Sequence, residues 1–147
     1  MNRIRPVALP LLLLALLFAG ACGDDAWNDL PSSVFDFVNR YYPSTEVESY
    51  NRDKTTGAQT VKIRNGATLV FDSNNQWTEI NGNGATLPAM MLYDQLPGPL
   101  YNYLEEMEAV EGVYAIWRTS SGYTVRLLDS DVVYDYEKGI TQNVTAP

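Results

Sequence analysis

The sequence predicts an α+β fold of two tandem units, each a helix followed by an antiparallel sheet, with the helices on one face. Two observations predict it. A segment that begins at Leu30 is similar to a second segment that begins at Leu96, with the same order of elements. In each copy apolar residues recur first at helical spacing and then at alternate positions, as in a helix followed by strands. Helices that cover one face of an antiparallel sheet make an α+β layer architecture.

The internal repeat depends on short matching strings. Each copy opens with Leu-Pro, contains a Thr-Val-basic-aliphatic string, and has a strand that ends in an aromatic residue and Asp. The matching positions are Leu30 with Leu96, Thr60 with Thr124, and Asp72 with Asp135. The offset between the copies shortens along the chain, as deletions in loops would produce. We therefore predict one domain at 30–139 made of two repeats, at 30–80 and 88–139.

Proline marks the start of the main helix in each copy. Pro31 and Pro97 suit the first helical turn, where a missing N–H is harmless. An apolar stripe follows at helical spacing. It consists of Val34, Phe35, Val38 and Tyr41 or Tyr42 in the first copy, and of Leu100, Tyr103, Leu104 and Met107 in the second. Pro43 ends the first helix, and a Gly/Asn-rich connector between the copies leads to a further helix after Pro88.

Three antiparallel strands are predicted after each helix. In the first copy Val61 and Ile63 alternate with polar residues, which indicates a half-buried strand. Asn65-Gly66 follows and is the strongest hairpin signal in the chain. The second copy repeats this pattern. Residues 140–147 show no periodicity, so we predict a loose tail there.

The first residues are typical of a processing segment. A positively charged start precedes an apolar run that is too short to span a bilayer, and small residues precede the single cysteine, Cys22. This pattern resembles a bacterial lipobox. We therefore predict a lipoprotein signal peptide at 1–21, lipidation of Cys22 and an acidic tether at 22–29. The expected location is the cell envelope, anchored by lipid in the outer membrane, with the leaflet left open. The alternative is an ordinary secretory signal with a spare thiol.

The order of the strings LP…VF.FV…YP, VKI.NG..L.FD…QW and LPGPLYNYLE resembles the PepSY-like family. Its members are exported proteins named for their similarity to β-lactamase inhibitor protein. The resemblance covers the chain from about Trp27 to Gly139. It implies two tandem helix-plus-sheet units, with the helices on the convex side of a curved sheet, and it implies binding rather than catalysis. For β-lactamase inhibitor protein itself the implied activity is inhibition of a serine hydrolase.

The residue types limit the chemistry that the chain can carry out. Histidine is absent, which removes the commonest general base, metal ligand and partner of a nucleophile. Asp72 and Asp135 are the most credible carboxylate pair for a glycosidase-type site, although Asp at a strand end commonly serves a turn. Oxygen-rich strings at 72–76 and 129–131 are candidate calcium loops but lack the EF-hand pattern. We predict no enzyme, no cofactor and no metal site.

Charge indicates the kind of partner. The formal net charge is −8, so nucleic acid and anionic lipid surfaces are not expected partners, and membrane contact is expected through the lipid anchor only. Basic and aromatic side chains nonetheless fall on or beside the predicted strands, and these residue types dominate interface hot spots. The predicted binding residues are Lys62, Arg64, Arg118, Arg126, Trp117 and Tyr123.

The predicted function is that of a non-enzymatic envelope lipoprotein whose basic sheet face binds an envelope protein, as an inhibitor or modulator of a hydrolase. One alternative is a carbohydrate or small ligand on the same face. Another is a purely structural component of the envelope. In a simpler interpretation the basic side chains only shield an open sheet, and Trp77 and Trp117 belong to the core.

Overall fold

The computed structural model describes residues 25–144. Two predictions, the signal peptide at 1–21 and the lipidation of Cys22, lie outside the described residues. The helices are α1 (Asp25–Asn28), α2 (Ser32–Tyr41), α3 (Ala89–Gln95) and α4 (Gly98–Glu106), with a 3-10 turn at Val110–Gly112. The strands are β1 (Val47–Arg52), β2 (Gln59–Ile63), β3 (Thr68–Phe71), β4 (Trp77–Asn81), β5 (Ala115–Arg118), β6 (Gly122–Arg126), β7 (Ser130–Asp135) and β8 (Gly139–Val144).

Within the described residues, the strands form one eight-stranded sheet in sequential order from β1 to β8. Every neighbouring pair is antiparallel. The predicted α+β fold is confirmed. Each unit has a helix followed by four strands rather than the predicted three. Pairing between β4 and β5 joins the two units into a continuous sheet, with Ile80 opposite Ile116 at the junction.

The two outermost strands explain why three strands were predicted. In β1 the residues are largely exposed, and β8 pairs with β7 alone. Side chains of such edge strands face water on more than one side, so the apolar alternation that reveals a strand is weak. The prediction of a loose tail at 140–147 is wrong for residues 140–144, because these belong to β8 and pair along the length of β7.

The predicted tether at 22–29 also needs correction. Residues 25–28 form the short helix α1. The ring of Trp27 packs edge-on against Phe35 of α2, with 5.1 Å between the ring centroids. The backbone N–H of Leu30 donates to the carbonyl of Trp27 at 3.3 Å. The chain that leads into the domain is therefore packed on α2 over this stretch.

The helices cover one face of the sheet, and the core lies between the two layers. Alternate residues of each strand point to that face. Phe71 of β3 meets Phe37 of α2 with 5.4 Å between their ring centroids. The largest fully buried apolar side chains are Phe71, Leu69, Ile80, Met91, Leu92, Leu100, Leu104, Ile116, Val34, Val38 and Val61. The predicted apolar stripes are confirmed at Val34, Val38, Leu100 and Leu104, which are fully buried. Phe35 and Met107 are 40% and 37% exposed, so their placement on the buried stripes is wrong.

The predicted Asn65-Gly66 hairpin joins β2 to β3. Asn65 has a positive φ of 53°, and the turn is closed by a hydrogen bond from the N–H of Gly66 to the carbonyl of Ile63 at 3.0 Å. Ile63 also donates to the carbonyl of Ala67. Asn-Gly favours a two-residue turn in which both residues are left-handed. Here only Asn65 is left-handed, so the turn is of a different type.

A hydrogen-bonded network links α2, α3 and the sheet. Asp94 accepts hydrogen bonds from Arg40 at 2.8 and 3.1 Å and from the hydroxyl of Tyr41 at 3.0 Å. These bonds lower the pKa of Asp94 below its usual value. Gln95 donates to the hydroxyl of Tyr41 and accepts from the indole of Trp77 at 3.0 Å. The network therefore fixes the position of the second unit's first helix relative to the first unit.

Candidate functional site

The six predicted binding residues lie on different faces of the molecule. We call the side of the sheet without helices the open face. Trp117 and Arg126 lie on the open face, because Ile116 and Val125 beside them point into the core. Arg118 and Tyr123, which are paired with each other across β5 and β6, therefore lie on the helix side.

On the open face, Arg126 is held flat against Trp117. The guanidinium carbon of Arg126 lies 4.8 Å from the centroid of the Trp117 ring. Its Nε and a terminal nitrogen donate to the two carboxylate oxygens of Asp131 at 3.0 and 3.1 Å. Asp131 stands directly opposite Arg126 in the pairing of β6 with β7. Hydrogen bonding to Asp131 raises the pKa of Arg126, so this side chain is a permanently charged and fixed group.

The two remaining predicted cations lie away from this pair. Lys62 is exposed on β2, and β2 is three strands from β5, or roughly 14 Å at the usual strand spacing. Arg64 lies in the turn after β2 and forms an ion pair with Glu46 at 2.8 Å. The predicted basic sheet face is corrected in two respects. Arg118 lies on the helix side, and the sheet register places Asp131 beside Arg126 and Glu79 beside Trp117, so the open face is mixed in charge.

A shallow cavity of about 350 Å³ lies at one end of the open face, between the β2–β3 turn and the loop after β4. Lys62, Glu48 and Asn65 contribute to its lining. The side-chain amide of Asn83 donates at 2.9 Å to both the carbonyl of Gly66 and the hydroxyl of Thr68. These bonds tie the loop to the turn and shape a polar cavity.

On the helix side, aromatic rings gather around Arg118. Its guanidinium carbon lies 4.9 Å from the centroid of the buried Trp77 ring. The ring of Tyr123 lies 5.9 Å from Trp77 and 6.1 Å from Tyr136, and Tyr134 lies 6.0 Å from Tyr136. We call Arg118, Trp77, Tyr123, Tyr134 and Tyr136 the arginine–tyrosine cluster. Three of these five residues, Trp77, Tyr134 and Tyr136, were not predicted as site residues. The closely spaced aromatic residues of "VVYDY" could have indicated two of them.

The two candidate catalytic carboxylates serve turns. Asp72 accepts from the N–H groups of Asn74 and Gln76, at 2.8 and 3.0 Å. Asp135 accepts from the N–H groups that follow it, and these bonds lower its pKa. The two aspartates are four strands apart, or roughly 19 Å, whereas a glycosidase pair needs about 5–9.5 Å. This pair therefore cannot act together, and the absence of enzymatic activity stays a prediction.

The oxygen-rich strings that were candidate calcium loops use several of their side-chain oxygens internally. In the first string, the side-chain oxygen of Asn75 accepts from the buried Gln59 at 2.7 Å. In the second, both oxygens of Asp131 accept from Arg126, and the hydroxyl of Ser130 accepts from Gln142 at 2.9 Å. Among residues 25–144, no group of three or more acidic, histidine or cysteine side chains is arranged to hold a metal ion. Over the same range no helix is long and apolar enough to cross a membrane.

Several solved structures share this fold. A candidate periplasmic protein of the DUF2874 family from Bacteroides vulgatus has a TM-score of 0.67 at 21% identity, over 82% of this chain and 93% of that chain. A second candidate periplasmic protein from the same species, of unknown function, has a TM-score of 0.63 at 23% identity, over 79% and 93% of the two chains. A candidate calcium-regulated periplasmic protein from Bacteroides thetaiotaomicron has a TM-score of 0.67 at 17% identity, over 82% and 93%.

No family model matches the chain, and no curated protein does. Membership of the PepSY-like family therefore stays a prediction. The identities to the solved structures are low, so the comparisons establish only a fold shared with these candidate periplasmic proteins.

Proposed function

We propose that this chain is a non-enzymatic lipoprotein of the cell envelope that binds a protein partner through the open face of its sheet. The observation that carries the proposal is the half-buried Trp117 with Arg126 stacked on it, at the middle of a sheet face that no described helix covers. Tryptophan and arginine are the residue types most enriched among interface hot spots. Inhibition or modulation of an envelope hydrolase is the activity that the PepSY-like resemblance implies.

The surroundings of Trp117 support this assignment. Ala115 lies beside Trp117 on the open face, and Thr124 stands opposite it on β6. Both side chains are short, so the ring and the guanidinium on it are the largest groups at this point of the face. Asp131 holds Arg126 in place by two hydrogen bonds. Such a preorganised anchor loses less side-chain entropy when a partner binds.

The same geometry favours a protein partner over a sugar. Carbohydrate rings stack on the exposed face of an aromatic side chain, and one face of Trp117 is already covered by the guanidinium of Arg126. A stacked arginine at a rigid position is better suited to a protein surface, where its free N–H groups reach acceptors. A carbohydrate ligand is therefore the second candidate, and an array of glycans tests it directly.

The envelope location is supported by two independent observations. The sequence predicts a lipidated Cys22 after a signal peptide, and the structural neighbours include candidate periplasmic proteins. We expect mass spectrometry of the mature chain, purified from its native host, to show an N-terminal Cys22 that carries acyl chains. A mature chain that starts after residue 22, or one with a free thiol at Cys22, would contradict the lipid anchor.

Photo-crosslinking from the open face tests the binding surface. A photoreactive phenylalanine analogue at Thr124, beside Trp117, should capture an envelope protein in intact cells. The same analogue at the exposed Lys54, in the β1–β2 loop, serves as the matched control and should not capture it.

The adduct must depend on the proposed anchor. Replacement of both Trp117 and Arg126 by alanine should abolish the adduct and weaken binding of the identified partner by well over about 30-fold, since the loss of one hot-spot side chain costs about 2 kcal/mol, or about 30-fold. Circular dichroism checks that the variant folds. An undiminished adduct would refute the open face as the binding surface, and retention on glycan arrays that requires Trp117 would favour the sugar.

A further inference from the structure

The arginine–tyrosine cluster has an arginine without an acidic partner. In the part of the chain that the structure describes, Arg40, Arg64 and Arg126 each have a carboxylate oxygen within 3.0 Å. Within the same residues Arg118 forms no ion pair and no side-chain hydrogen bond. Its guanidinium lies over the ring of Trp77. The planar guanidinium has five N–H donors at its edge, so the stacking leaves this edge available.

The surroundings of Arg118 fix its position. Trp77 is only 3% exposed, and its indole N–H is bonded to Gln95, so it forms a rigid base for the guanidinium. Tyr123 lies opposite Arg118 across the strand pair, and Tyr136 is 55% exposed at the rim of the cluster. The pKa of Tyr136 is raised, mainly by the interaction of its hydroxyl with that of Tyr123, while the charge of Arg118 acts to lower it. The rings of Tyr123 and Tyr136 lie 6.1 Å apart between their centroids, so Tyr136 extends the aromatic surface that begins at Tyr123.

We propose that the arginine–tyrosine cluster binds a single aspartate or glutamate side chain of a protein segment, with the carboxylate on Arg118 and the adjoining residues on the tyrosine rings. A guanidinium fork matches a carboxylate with two parallel hydrogen bonds. Tyrosine rings add apolar contact area and hydroxyl groups at little cost in side-chain entropy. This site lies on the helix side and is separate from the open face, so either proposal can fail without the other.

Charge favours one carboxylate over a strongly anionic ligand. The chain carries a formal net charge of −8, so it repels anionic lipid surfaces and other dense arrays of negative charge. A lone acidic side chain within an otherwise uncharged segment avoids most of this repulsion and still pairs with Arg118. Inorganic phosphate shares the anionic chemistry and serves as a competitor in the test.

A library of phage-displayed twelve-residue peptides, selected on the folded mature protein, tests this proposal. The enriched peptides are expected to share one Asp or Glu next to aromatic or proline residues. For the best peptide, calorimetry should show at least about tenfold weaker binding when its acid is changed to the amide, and a similar loss with Arg118→Gln, because a hydrogen bond to a charged group contributes about 1.5–3 kcal/mol. Arg118→Lys keeps the charge but loses the fork, and should also bind more weakly.

Arg52→Gln is the matched control. Arg52 is exposed on β1 and, like Arg118, forms none of the ion pairs found in residues 25–144. Its replacement should leave the affinity unchanged within about twofold. A nuclear magnetic resonance spectrum adds a direct readout, because the indole N–H signal of Trp77, assigned with Trp77→Phe, should shift when the peptide binds.

Four outcomes would overturn the proposal. The first is enrichment of peptides without an acidic residue. The second is equal affinity of the Arg118→Gln variant and the wild type. The third is a shift of the Trp117 indole signal in place of that of Trp77, which would locate the peptide on the open face. Competition by millimolar inorganic phosphate, with no preference for acidic peptides, would assign the cluster to small anions and would also overturn it.

Discussion

Replacement of Trp77 by alanine is expected to lower the free energy of unfolding by about 3–5 kcal/mol, the usual loss for a large aromatic side chain removed from a core. The ring is 3% exposed and supports Arg118 and Tyr123 on one side. Its removal also leaves the side-chain oxygen of Gln95 without its N–H donor. Trp117→Ala should lower the same free energy by only about 1 kcal/mol, because its main contact is a half-exposed cation–π pair.

Urea denaturation followed by circular dichroism measures both losses without depending on tryptophan fluorescence. Trp77→Phe is the informative intermediate, since it keeps much of the apolar volume but loses the N–H. Its loss should fall between those of the alanine variant and the wild type. Domains of this size are stable by about 5–15 kcal/mol, so Trp77→Ala should shift the urea midpoint strongly. Similar losses at Trp77 and Trp117 would contradict the opposite faces assigned to them.

The different roles of Trp77 and Trp117 show where sequence reasoning stops. In the string WTEIN, strict alternation from the buried Ile80 would put Thr78 on the core face and Trp77 on the open face. The pairing of β3 with β4 is irregular here, and a bulge places Trp77 opposite Phe71 on the core side. A bulge adds a residue without any marker in the sequence. The interpretation that Trp77 belongs to the core is therefore confirmed by its burial, although strand alternation alone places it on the opposite face.

Other parts of the site could be predicted from the sequence. Ile116 is apolar and Trp117 follows it, so alternation alone would place Trp117 and Arg118 on opposite faces. Both are predicted binding residues because of their residue types, and residue type does not determine which face of a strand a side chain occupies. The pairing of Arg126 with Asp131 depends on the β6–β7 register, which becomes known only once the turn is fixed.

The fold was more predictable than the site for a physical reason. The internal repeat and the spacing of apolar residues indicate which side chains are buried. Burial in turn determines which segments become helices and inner strands. The edge strand β8 has few buried side chains and is held by backbone hydrogen bonds to β7, which leave little trace in side-chain types. Binding surfaces are likewise exposed, so their positions follow from register and bulges more than from composition.

Gly122→Ala is expected to lower the free energy of unfolding by about 3 kcal/mol, at the upper end of the usual loss for overpacking. A Cβ at Gly122 would lie 1.8 Å from the carbonyl oxygen of Tyr134 and 2.8 Å from its carbonyl carbon. Both are backbone atoms, so no side-chain rotation relieves the clash. The strands β6 and β7 must therefore separate at the point where Gly122 pairs with Asp135.

Gly98→Ala provides the matched control. Gly98 begins α4, and a Cβ there meets nothing within 4 Å. Alanine favours the helix by up to about 1 kcal/mol over glycine, so the free energy of unfolding should stay the same or rise slightly. Thermal denaturation of the two variants side by side measures the contrast. Equal stability of Gly122→Ala and the wild type would contradict the tight pairing of β6 with β7.

The Gly122 variant also connects the fold to the proposed sites. Tyr123 follows Gly122 directly and pairs with Tyr134, so separation of the strands moves two members of the arginine–tyrosine cluster apart. Affinity for an acidic peptide should then fall even under conditions where the variant is still folded. Capture of a partner through Trp117, on the other face, should change less, because the contact of Arg126 with Asp131 of β7 lies four residues along the strand from Gly122. Equal losses at both surfaces would mean that the variant unsettles the whole sheet, whereas a loss confined to the cluster would show that the two faces act separately.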